Sequence, residues 1–458
     1  MDHISIASDT QESINIQSKI DEFFDRFQLG TLLNRCGIRK RHGHGVRSLT
    51  QAIFTLPFVG KNFFRGIVVN RDLPFGKDAA YDLLKGTTYN WRRLLIDLGV
   101  RLFAFFDRLT SEDRETVLII DDSPYDRSRS KKVELLSRFW DHCARRYLKG
   151  FRMLTICWSD GVSCLPLDFS LLSSADAKNR LCESQKPLDQ RCCAFKRRKE
   201  ATVKATEHLE AMIKRILSAG IRAQYLLMDS WFMMPATVST LAEYIDVIGM
   251  VKKTPKIFYR YNGHAMGLMA IYRKLRKRRG RAKLLGSTLV ELKDGRAVKL
   301  VFVRDKRKKD WLALLSTDTT LPDEDVVRIY GKRWDIEVFF KMAKQHLKLV
   351  KETQCRDFDA LIAHTSIVFM RYMFLAYQCR VENDHRTFGD LFYSCCDEVS
   401  DISFIEALYR ILTLAADQLK KLGSFCEKTA SALLDTIINN ALQCVGLSKN
   451  KLNLNPES

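Results

Sequence analysis

The chain has 458 residues, of which 46% are hydrophobic and 28% are charged, a balance typical of a folded soluble protein and not of a disordered one. At roughly 100–200 residues per domain, this length predicts two to four domains. Lys and Arg together number 75 against 54 Asp and Glu, a net charge of +21. This excess favours a polyanionic partner, and we expect nucleic acid.

Neither secretion nor membrane insertion is expected. The thirteen cysteines are irregularly spaced and include no C-x-x-C, which favours reduced thiols in the cytoplasm. Met1-Asp2-His3-Ile4 lacks the basic and apolar regions of a signal peptide. The apolar stretch 367–377 is too short to cross a bilayer and contains Arg371.

Residues 18–106 are predicted to form a helical module, because apolar residues recur there at helical spacing. Between the two clearest stretches lies a basic loop, residues 37–44. We expect this module to read DNA sequence, although no helix-turn-helix pattern identifies recognition residues.

The pattern changes to short apolar strands after residue 110. Residues 117–120 form a β-branched run that stops at Asp121-Asp122, and residues 152–158 and 162–171 form two strands joined by an Asp-Gly turn. A helix over 198–219 precedes a strand at 225–228, which stops at Asp229. A helix at 237–244 and a strand at 247–251 complete this alternating region.

An insertion from 252 to about 315 interrupts the alternation, with strands at 298–303 and 311–315. One long helix is then predicted over 322–350, because acidic residues fill its first turn, where the helix dipole favours them. This helix carries Glu337 among apolar and aromatic neighbours. The remainder, 357–447, is predicted to be helical and the tail after 449 disordered.

Two strands that end in aspartate and a later helix with a glutamate resemble an RNase H-like domain, in which such carboxylates meet at one site. Two Mg²⁺ ions held there would clamp the attacking and leaving oxygens of a phosphoryl transfer. Alternatively, each aspartate caps a helix or forms a turn, and Glu337 is a solvated or paired residue.

The spacing Tyr330-x-x-Arg333-x-x-x-Glu337-x₆-Lys344 resembles the YREK signature of DDE transposases of bacterial insertion sequences, the insertion-sequence-four family. On one continuous helix these residues share a face. The resemblance implies that Glu337 binds metal and that Tyr330, Arg333 and Lys344 hold DNA phosphates. A chance amphipathic stripe is the alternative.

Two further segments are similar to the same family. Residues 118–123 resemble its first-aspartate motif, with a Ser or Thr two residues after the aspartate, which indicates Asp121 and leaves Asp122 as the alternative. Residues 228–232 resemble the second-aspartate motif and indicate Asp229. The resemblance extends over about 117–344, and its site residues would be Asp121, Asp229 and Glu337, with two Mg²⁺ ions that Mn²⁺ can replace.

The insertion occupies the place of a β-rich insertion in that family. Trp311 is similar to the tryptophan that stacks there on a base flipped out of the DNA. The competing interpretation, slightly favoured by the apolar run 311–315, is a core residue.

Basic runs occur at 127–132, in the set Lys196, Arg197, Arg198 and Lys199, and at 273–283. Such runs are usually solvated faces. Because of their place in the predicted fold, we expect the second and third to contact phosphates without reading sequence.

The sequence thus predicts an α/β chain with an RNase H-like catalytic domain and a β-rich insertion, flanked by all-helical N- and C-terminal regions. The expected domains are a DNA-binding region (1–110), a catalytic domain (111–350, insertion 252–315) and a C-terminal region (351–458) that dimerises. The resemblance implies cut-and-paste transposition by a synaptic homodimer on the terminal inverted repeats of an element and on target DNA, in the bacterial cytoplasm at the nucleoid. The alternatives are a nuclease of the same fold without strand transfer, and a catalytically silent DNA-binding protein.

Overall fold

The computed structural model describes residues 9–40, 42–70, 73–109, 114–141, 144–184, 186–278, 283–305 and 310–381. The chain divides into two compact units. One contains Met1–Arg26, Thr55–Lys61 and Arg386–Ser458, and the other contains Phe27–Phe54 and Asn62–His385. The described part of the first unit is helix α1 (Asp9–Arg26) and the segment Thr55–Lys61.

The predicted helical character of the N-terminal part is confirmed. After α1 come α2 (Leu29–Arg35), α3 (Val46–Thr55), a π-helical turn (Phe64–Val68), α4 (Lys77–Leu84) and α5 (Trp91–Asp107). Asn90 caps α5 by accepting a hydrogen bond from the Arg93 amide, which satisfies one of the free donors at the helix start. Leu94, Leu95 and Leu98 are fully buried, so the apolar spacing read from the sequence forms the packed face of α5.

One large sheet organises the second unit. Its strands are β1 (Val117–Asp126), β2 (Ser137–Asp141), β3 (Arg146–Ser159), β4 (Cys164–Leu172), β5 (Tyr225–Met228), β6 (Asp246–Val251), β7 (Phe258–Tyr261), β8 (His264–Gly267), β9 (Leu284–Glu291), β10 (Ala297–Asp305) and β11 (Asp310–Ser316). Its helices are α6 (Cys193–Ala201), α7 (Ala205–Ser218), α8 (Pro235–Leu241), α9 (Leu268–Lys274), α10 (Asp323–Gly331), α11 (Trp334–Gln345) and α12 (Phe358–Val381).

The centre of the sheet has the RNase H-like arrangement that the sequence predicted. β1, β5 and β6 are parallel neighbours, and β3 pairs antiparallel with both β1 and β4. The first β1 residues, Val117 to Ile120, are completely buried, as expected for parallel strands covered on both faces. The fold is therefore an α/β fold with an RNase H-like centre and helical flanks.

β1 is longer than predicted and does not stop at the aspartates. Its parallel pairing with β5 ends at Ile120 opposite Met228, but its antiparallel pairing with β3 continues to Asp126 opposite Gly150. β3 begins at Arg146, before the predicted residue 152, and its extra residues also pair with β2. Asp121 and Asp122 therefore lie within a strand that has lost one neighbour.

Both long predicted helices are divided in two. The helix predicted over 198–219 ends at Ala201 and restarts at Ala205, with Lys204 extended at φ −67° and ψ 143°. The helix predicted over 322–350 breaks between Gly331 and Trp334, where the amides of Lys332 and Arg333 bond to carbonyls three residues earlier. Tyr330 and Lys344 therefore lie on different helices, α10 and α11.

The segment between β6 and α10 adds five strands to the edge of the sheet. β11 pairs antiparallel with β6, and the order continues through β10, β9, β7 and β8. The strands predicted at 298–303 and 311–315 are confirmed as β10 and β11. The domain boundaries themselves stay predictions.

α12 is a core helix with buried charges. It is long and apolar enough to cross a membrane by length and composition, yet the whole of its most apolar window is buried inside the protein. Arg371 donates to both oxygens of Glu352 and to the carbonyls of Ile53, Phe54 and Leu347. Residues 382–458, with the predicted C-terminal helices and tail, lie outside the described residues.

Candidate active site

A wide cleft of about 2140 Å³ lies where the parallel strands β1 and β5 part. Asp121 follows the last β1–β5 pair, and Asp229 directly follows β5. Both aspartates and Glu337 of α11 line the cleft. The carboxyl edge of parallel strands is where α/β folds place their ligands, so the topology accounts for the shared location of these three carboxylates.

The surroundings of Asp121 disfavour the ionised form of its carboxyl group. Burial is the main cause that raises its pKa, to about 7; Arg333 opposes the rise, and the neighbouring Asp122 and Asp229 add to it. Burial and like charges both disfavour the ionised form of a carboxyl group. A cation at this place would therefore stabilise the ionised Asp121.

Arg333 supplies such a cation by bridging two of the carboxylates. Its Nη1 donates to Asp121 at 3.0 Å and its Nη2 to Glu337 at 2.5 Å. The Arg333–Glu337 contact is kept despite the helix break, because Arg333 is the N-cap residue of α11 and already has helical backbone angles, φ −56° and ψ −24°. Three of the predicted site residues thus form one hydrogen-bonded group.

Lys344 and Tyr330 have different positions relative to this group. The Lys344 ammonium donates to the Ser123 hydroxyl at 2.5 Å, and both residues line the cleft. This contact joins the last residue of the predicted YREK spacing to the serine of the first-aspartate motif. The Tyr330 ring lies 5.9 Å from the Arg333 guanidinium carbon. Burial raises the pKa of the Tyr330 hydroxyl to about 12.

Asp122 is engaged by an arginine that the sequence did not single out. Arg152 of β3 donates through Nε and Nη2 to both oxygens of the Asp122 carboxylate. Asp122 lies opposite Leu154 and Arg152 lies opposite Pro124, so the pair is a diagonal one across adjacent strands. This bidentate contact engages Asp122 with Arg152, whereas Asp121 contacts Arg333, so the two neighbouring carboxylates have different arginine partners.

The donor chemistry of the cleft suits a hard divalent cation. Carboxylate oxygens from β1, from the residue after β5 and from α11 line one space, and Mg²⁺ and Mn²⁺ prefer such ligands. Within the described ranges, no three His, Cys, Asp or Glu side chains converge closely enough to hold a metal ion. The Arg333 guanidinium lies between two of the donors, so a metal bound by all three requires it to move.

The walls of the cleft are strongly basic. Eleven Lys and Arg residues line it against six Asp and Glu residues. The exposed cations among them are Arg129, Lys131, Lys132, Arg146, Lys351 and Arg356. Arg129, Lys131 and Lys132 belong to the basic run 127–132 that the sequence identified. Arg146, Lys351 and Arg356 are distant from that run in the sequence and line the same cleft only in the folded protein. Such a surface suits the phosphate backbone of a nucleic acid.

The basic set on α6 divides into two kinds of residue. Arg198 is buried and its guanidinium is shared between Glu134 and Asp359. Arg197 pairs with Asp359 and donates to the carbonyls of Thr87 and Tyr89. We therefore remove Arg197 and Arg198 from the expected phosphate contacts and assign them to buried ion pairs. Lys196 and Lys199 are exposed, and their role stays a prediction.

Trp311 lies within β11 with 8% of its surface exposed. Its ring stacks on Tyr272 at a centroid distance of 4.2 Å, and the Lys253 ammonium lies 3.9 Å from its centroid. The ring surface that a flipped base would need is already contacted, which favours the core interpretation. Of the basic run at 273–283, residues 279–282 lie outside the described residues.

A comparison with known protein families agrees with this geometry. The model of the DDE superfamily endonucleases matches residues 71–301, half of the chain. The matched segment contains Asp121 and Asp229 and ends before Glu337. A search of curated proteins finds no match. The RNase H-like sheet, the acidic and basic cleft at its edge and the family match together place this chain in the DDE superfamily of endonucleases.

Proposed function

We propose that this endonuclease is a transposase of the insertion-sequence-four type, which cuts DNA at the ends of a mobile element and joins those ends to target DNA. The observation that supports this most directly is the contact pattern of the YREK spacing. Arg333 contacts Asp121 and Glu337, and Lys344 contacts Ser123. If the YREK spacing were only a chance amphipathic stripe, these contacts with the first-aspartate motif would have no explanation.

Asp121, Asp229 and Glu337 are the residues that would hold the divalent ions, which we propose to be two Mg²⁺ ions replaceable by Mn²⁺. Bound there, the ions would polarise the scissile phosphate and activate the attacking oxygen. Asp122 would hold Arg152 at the edge of the cleft through its bidentate contact. Arg333 and Lys344 would bind non-bridging phosphate oxygens, since guanidinium and ammonium groups are common phosphate ligands.

The reaction would follow the order that the transposase resemblance implies. Water attacks the phosphorus at the element end, and the 3′ oxygen leaves as a free hydroxyl. This 3′ hydroxyl attacks a phosphate of the opposite strand, displaces the 3′ oxygen of the flanking DNA and forms a hairpin. A second water attacks the hairpin phosphate and displaces the 3′ oxygen of the element. The regenerated 3′ hydroxyl then attacks a target phosphate and displaces the 3′ oxygen of the target strand. We further propose that a homodimer acts on the paired terminal inverted repeats, at the nucleoid in the cytoplasm.

The test is to incubate the protein with Mg²⁺ or Mn²⁺ and candidate element ends, and to map the products. Asp229→Ala and Glu337→Ala should each abolish cleavage while DNA binding remains. Glu324→Ala is the matched control, because this exposed acid lies on α10 and pairs with Arg278, and neither residue lines the cleft. Retained cleavage of more than a few per cent in either variant contradicts the site assignment.

A second arm separates transposition from simple hydrolysis. A pre-cleaved end with a free 3′ hydroxyl should be joined covalently to a supercoiled target plasmid. Cleavage without joining would identify a nuclease of the same fold, and binding without cleavage would identify a catalytically silent DNA-binding protein.

A further inference from the structure

Arg127 is a buried cation that the mechanism described above does not use. It directly follows β1, and its amide donates to the Lys149 carbonyl at 2.7 Å, so the pairing with β3 continues through it. Only 8% of its surface is exposed, yet it lines the catalytic cleft. It therefore differs from the exposed members of the basic run 127–132, in which the sequence placed it.

The hydrogen bonds of the Arg127 guanidinium all go to uncharged groups. Nη1 donates to the Thr353 carbonyl at 2.9 Å and Nη2 to the Tyr125 hydroxyl at 3.4 Å. The guanidinium carbon lies 5.3 Å from the centre of the Tyr125 ring, and Nε is buried without a hydrogen-bond partner. Among the residues that the structure describes, no Asp or Glu side chain forms an ion pair with Arg127.

The two other buried arginines in the described part of the chain are both paired with carboxylates. Arg198, which is 7% exposed, is shared between two of them. Arg371 is held by both oxygens of Glu352. Burying a charge without a counter-charge is costly, so we expect an anion in the cleft to compensate the charge of Arg127.

The place of Arg127 along β1 relates it to the proposed catalytic residues. Successive side chains alternate between the two faces of a strand, so Asp121, Ser123, Tyr125 and Arg127 lie on one face. Six residues of extended strand span about 20 Å, which equals about six phosphates of one DNA strand along the helix axis. A duplex with its scissile phosphate at Asp121 that follows the cleft would therefore bring another of its phosphates to Arg127.

We propose that Arg127 binds a backbone phosphate of DNA about six base pairs from the scissile phosphate and thereby positions the duplex along the cleft. An arginine has about five N–H donors, and those that Arg127 does not use for Thr353 and Tyr125 would donate to non-bridging phosphate oxygens. Such contacts fix the register of the duplex without reading its sequence. The inference rests on the proposed DNA-cleaving function and adds a positioning residue to it.

The experiment uses the full chain in EDTA, so that binding is measured without cleavage. The probe is a fluorescent DNA duplex of arbitrary sequence, and its dissociation constant is measured by anisotropy over a series of salt concentrations. Arg127→Met should weaken binding at low salt by roughly ten- to a hundredfold. It should also reduce the log–log salt slope by roughly 0.9, the value for one phosphate contact on B-DNA.

Arg198→Met is the matched control, because Arg198 is equally buried but paired with two carboxylates. It should lower the melting temperature and leave the salt slope unchanged. Arg127→Met should melt at the temperature of wild type or above it without DNA, because it removes a buried charge that has no counter-charge. Arg127→Lys keeps the charge but not the paired donors, so it should restore the salt slope and only part of the affinity.

Inorganic phosphate is the second probe, and it separates a DNA phosphate from a free one. Phosphate at low millimolar concentration should raise the melting temperature of wild type more than that of Arg127→Met, with sodium chloride of equal ionic strength as the reference. This difference, together with equal duplex affinity and equal salt slope in the two proteins, would identify a site for free phosphate and overturn the DNA contact.

An unchanged salt slope in Arg127→Met, or an equal loss of slope in Arg198→Met, overturns the proposal. If wild type cleaves element ends while Arg127→Met keeps the full salt slope, this contact is wrong and the proposed function stands. A loss of slope in Arg127→Met, when wild type cleaves no DNA, supports the contact and contradicts the proposed function.

Discussion

Arg333 lies where a divalent ion would have to bind, so its removal should strengthen metal binding. Its two terminal nitrogens donate to Asp121 at 3.0 Å and to Glu337 at 2.5 Å. A hydrogen bond to a charged group contributes roughly 1.5–3 kcal/mol. A metal ion held by both carboxylates must displace at least one of these bonds. In Arg333→Met this cost is absent, so the dissociation constant for Mn²⁺ should fall by roughly ten- to a hundredfold.

The assay is calorimetric titration of Mn²⁺ into the protein without DNA. Arg328→Met is the matched control, because Arg328 pairs with Glu115 and Asp325 and does not line the cleft. The Arg333→Met protein should also melt at a lower temperature than wild type without metal, because Asp121 and Glu337 lose their shared cation. Unchanged or weaker Mn²⁺ affinity in Arg333→Met would refute the idea that the guanidinium competes with metal.

Three further outcomes test the assignments. Asp121→Asn should abolish DNA cleavage, whereas Asp122→Asn should reduce its rate by only roughly tenfold through a weakened arginine contact, and the reverse ranking in a gel assay would exchange their roles. Trp311→Ala should lower the free energy of unfolding by roughly 3–5 kcal/mol; unchanged melting with slower hairpin formation would instead support base stacking. Arg371→Met should destabilise the fold by roughly 3–5 kcal/mol, because Glu352 would remain buried and charged, and the double variant with Glu352→Gln should recover part of that loss in denaturant titrations.

The central fold could be predicted from the sequence because apolar strands have a local signature. The runs at 117–120 and 225–228 are buried strands in the structure. The extension of β1 to Asp126 could not be predicted, since polar residues such as Asp121 and Ser123 have low strand preference. Pairing with β3 holds them in the strand, and that pairing is a tertiary contact.

The site was predictable where residue spacing is local and unpredictable where partners are distant in sequence. The Arg333–Glu337 contact spans four residues and follows from helix geometry. The Arg152–Asp122 contact spans 30 residues, and Arg198 meets Asp359 across 161. A run of charged residues near a predicted site therefore does not reveal whether its arginines contact phosphate or form buried ion pairs. The carboxylate that would pair with such an arginine lies far away in the sequence.

The position of Arg333 should also couple metal binding to DNA binding. While Arg333 is held by Asp121 and Glu337, the two donors that contact these carboxylates are not available to a phosphate, and the guanidinium cannot turn towards one. A metal ion that takes these carboxylates releases the guanidinium into a cleft whose other walls are basic. Metal should therefore increase DNA affinity by more than the neutralisation of charge alone, and by linkage DNA should increase metal affinity by the same factor. Ca²⁺, which binds oxygen ligands, allows the comparison by fluorescence anisotropy, with uncleaved duplex checked on a gel. Wild-type protein should gain more DNA affinity on addition of Ca²⁺ than Arg333→Met does, and an equal gain in the two proteins would show that the guanidinium does not mediate the coupling.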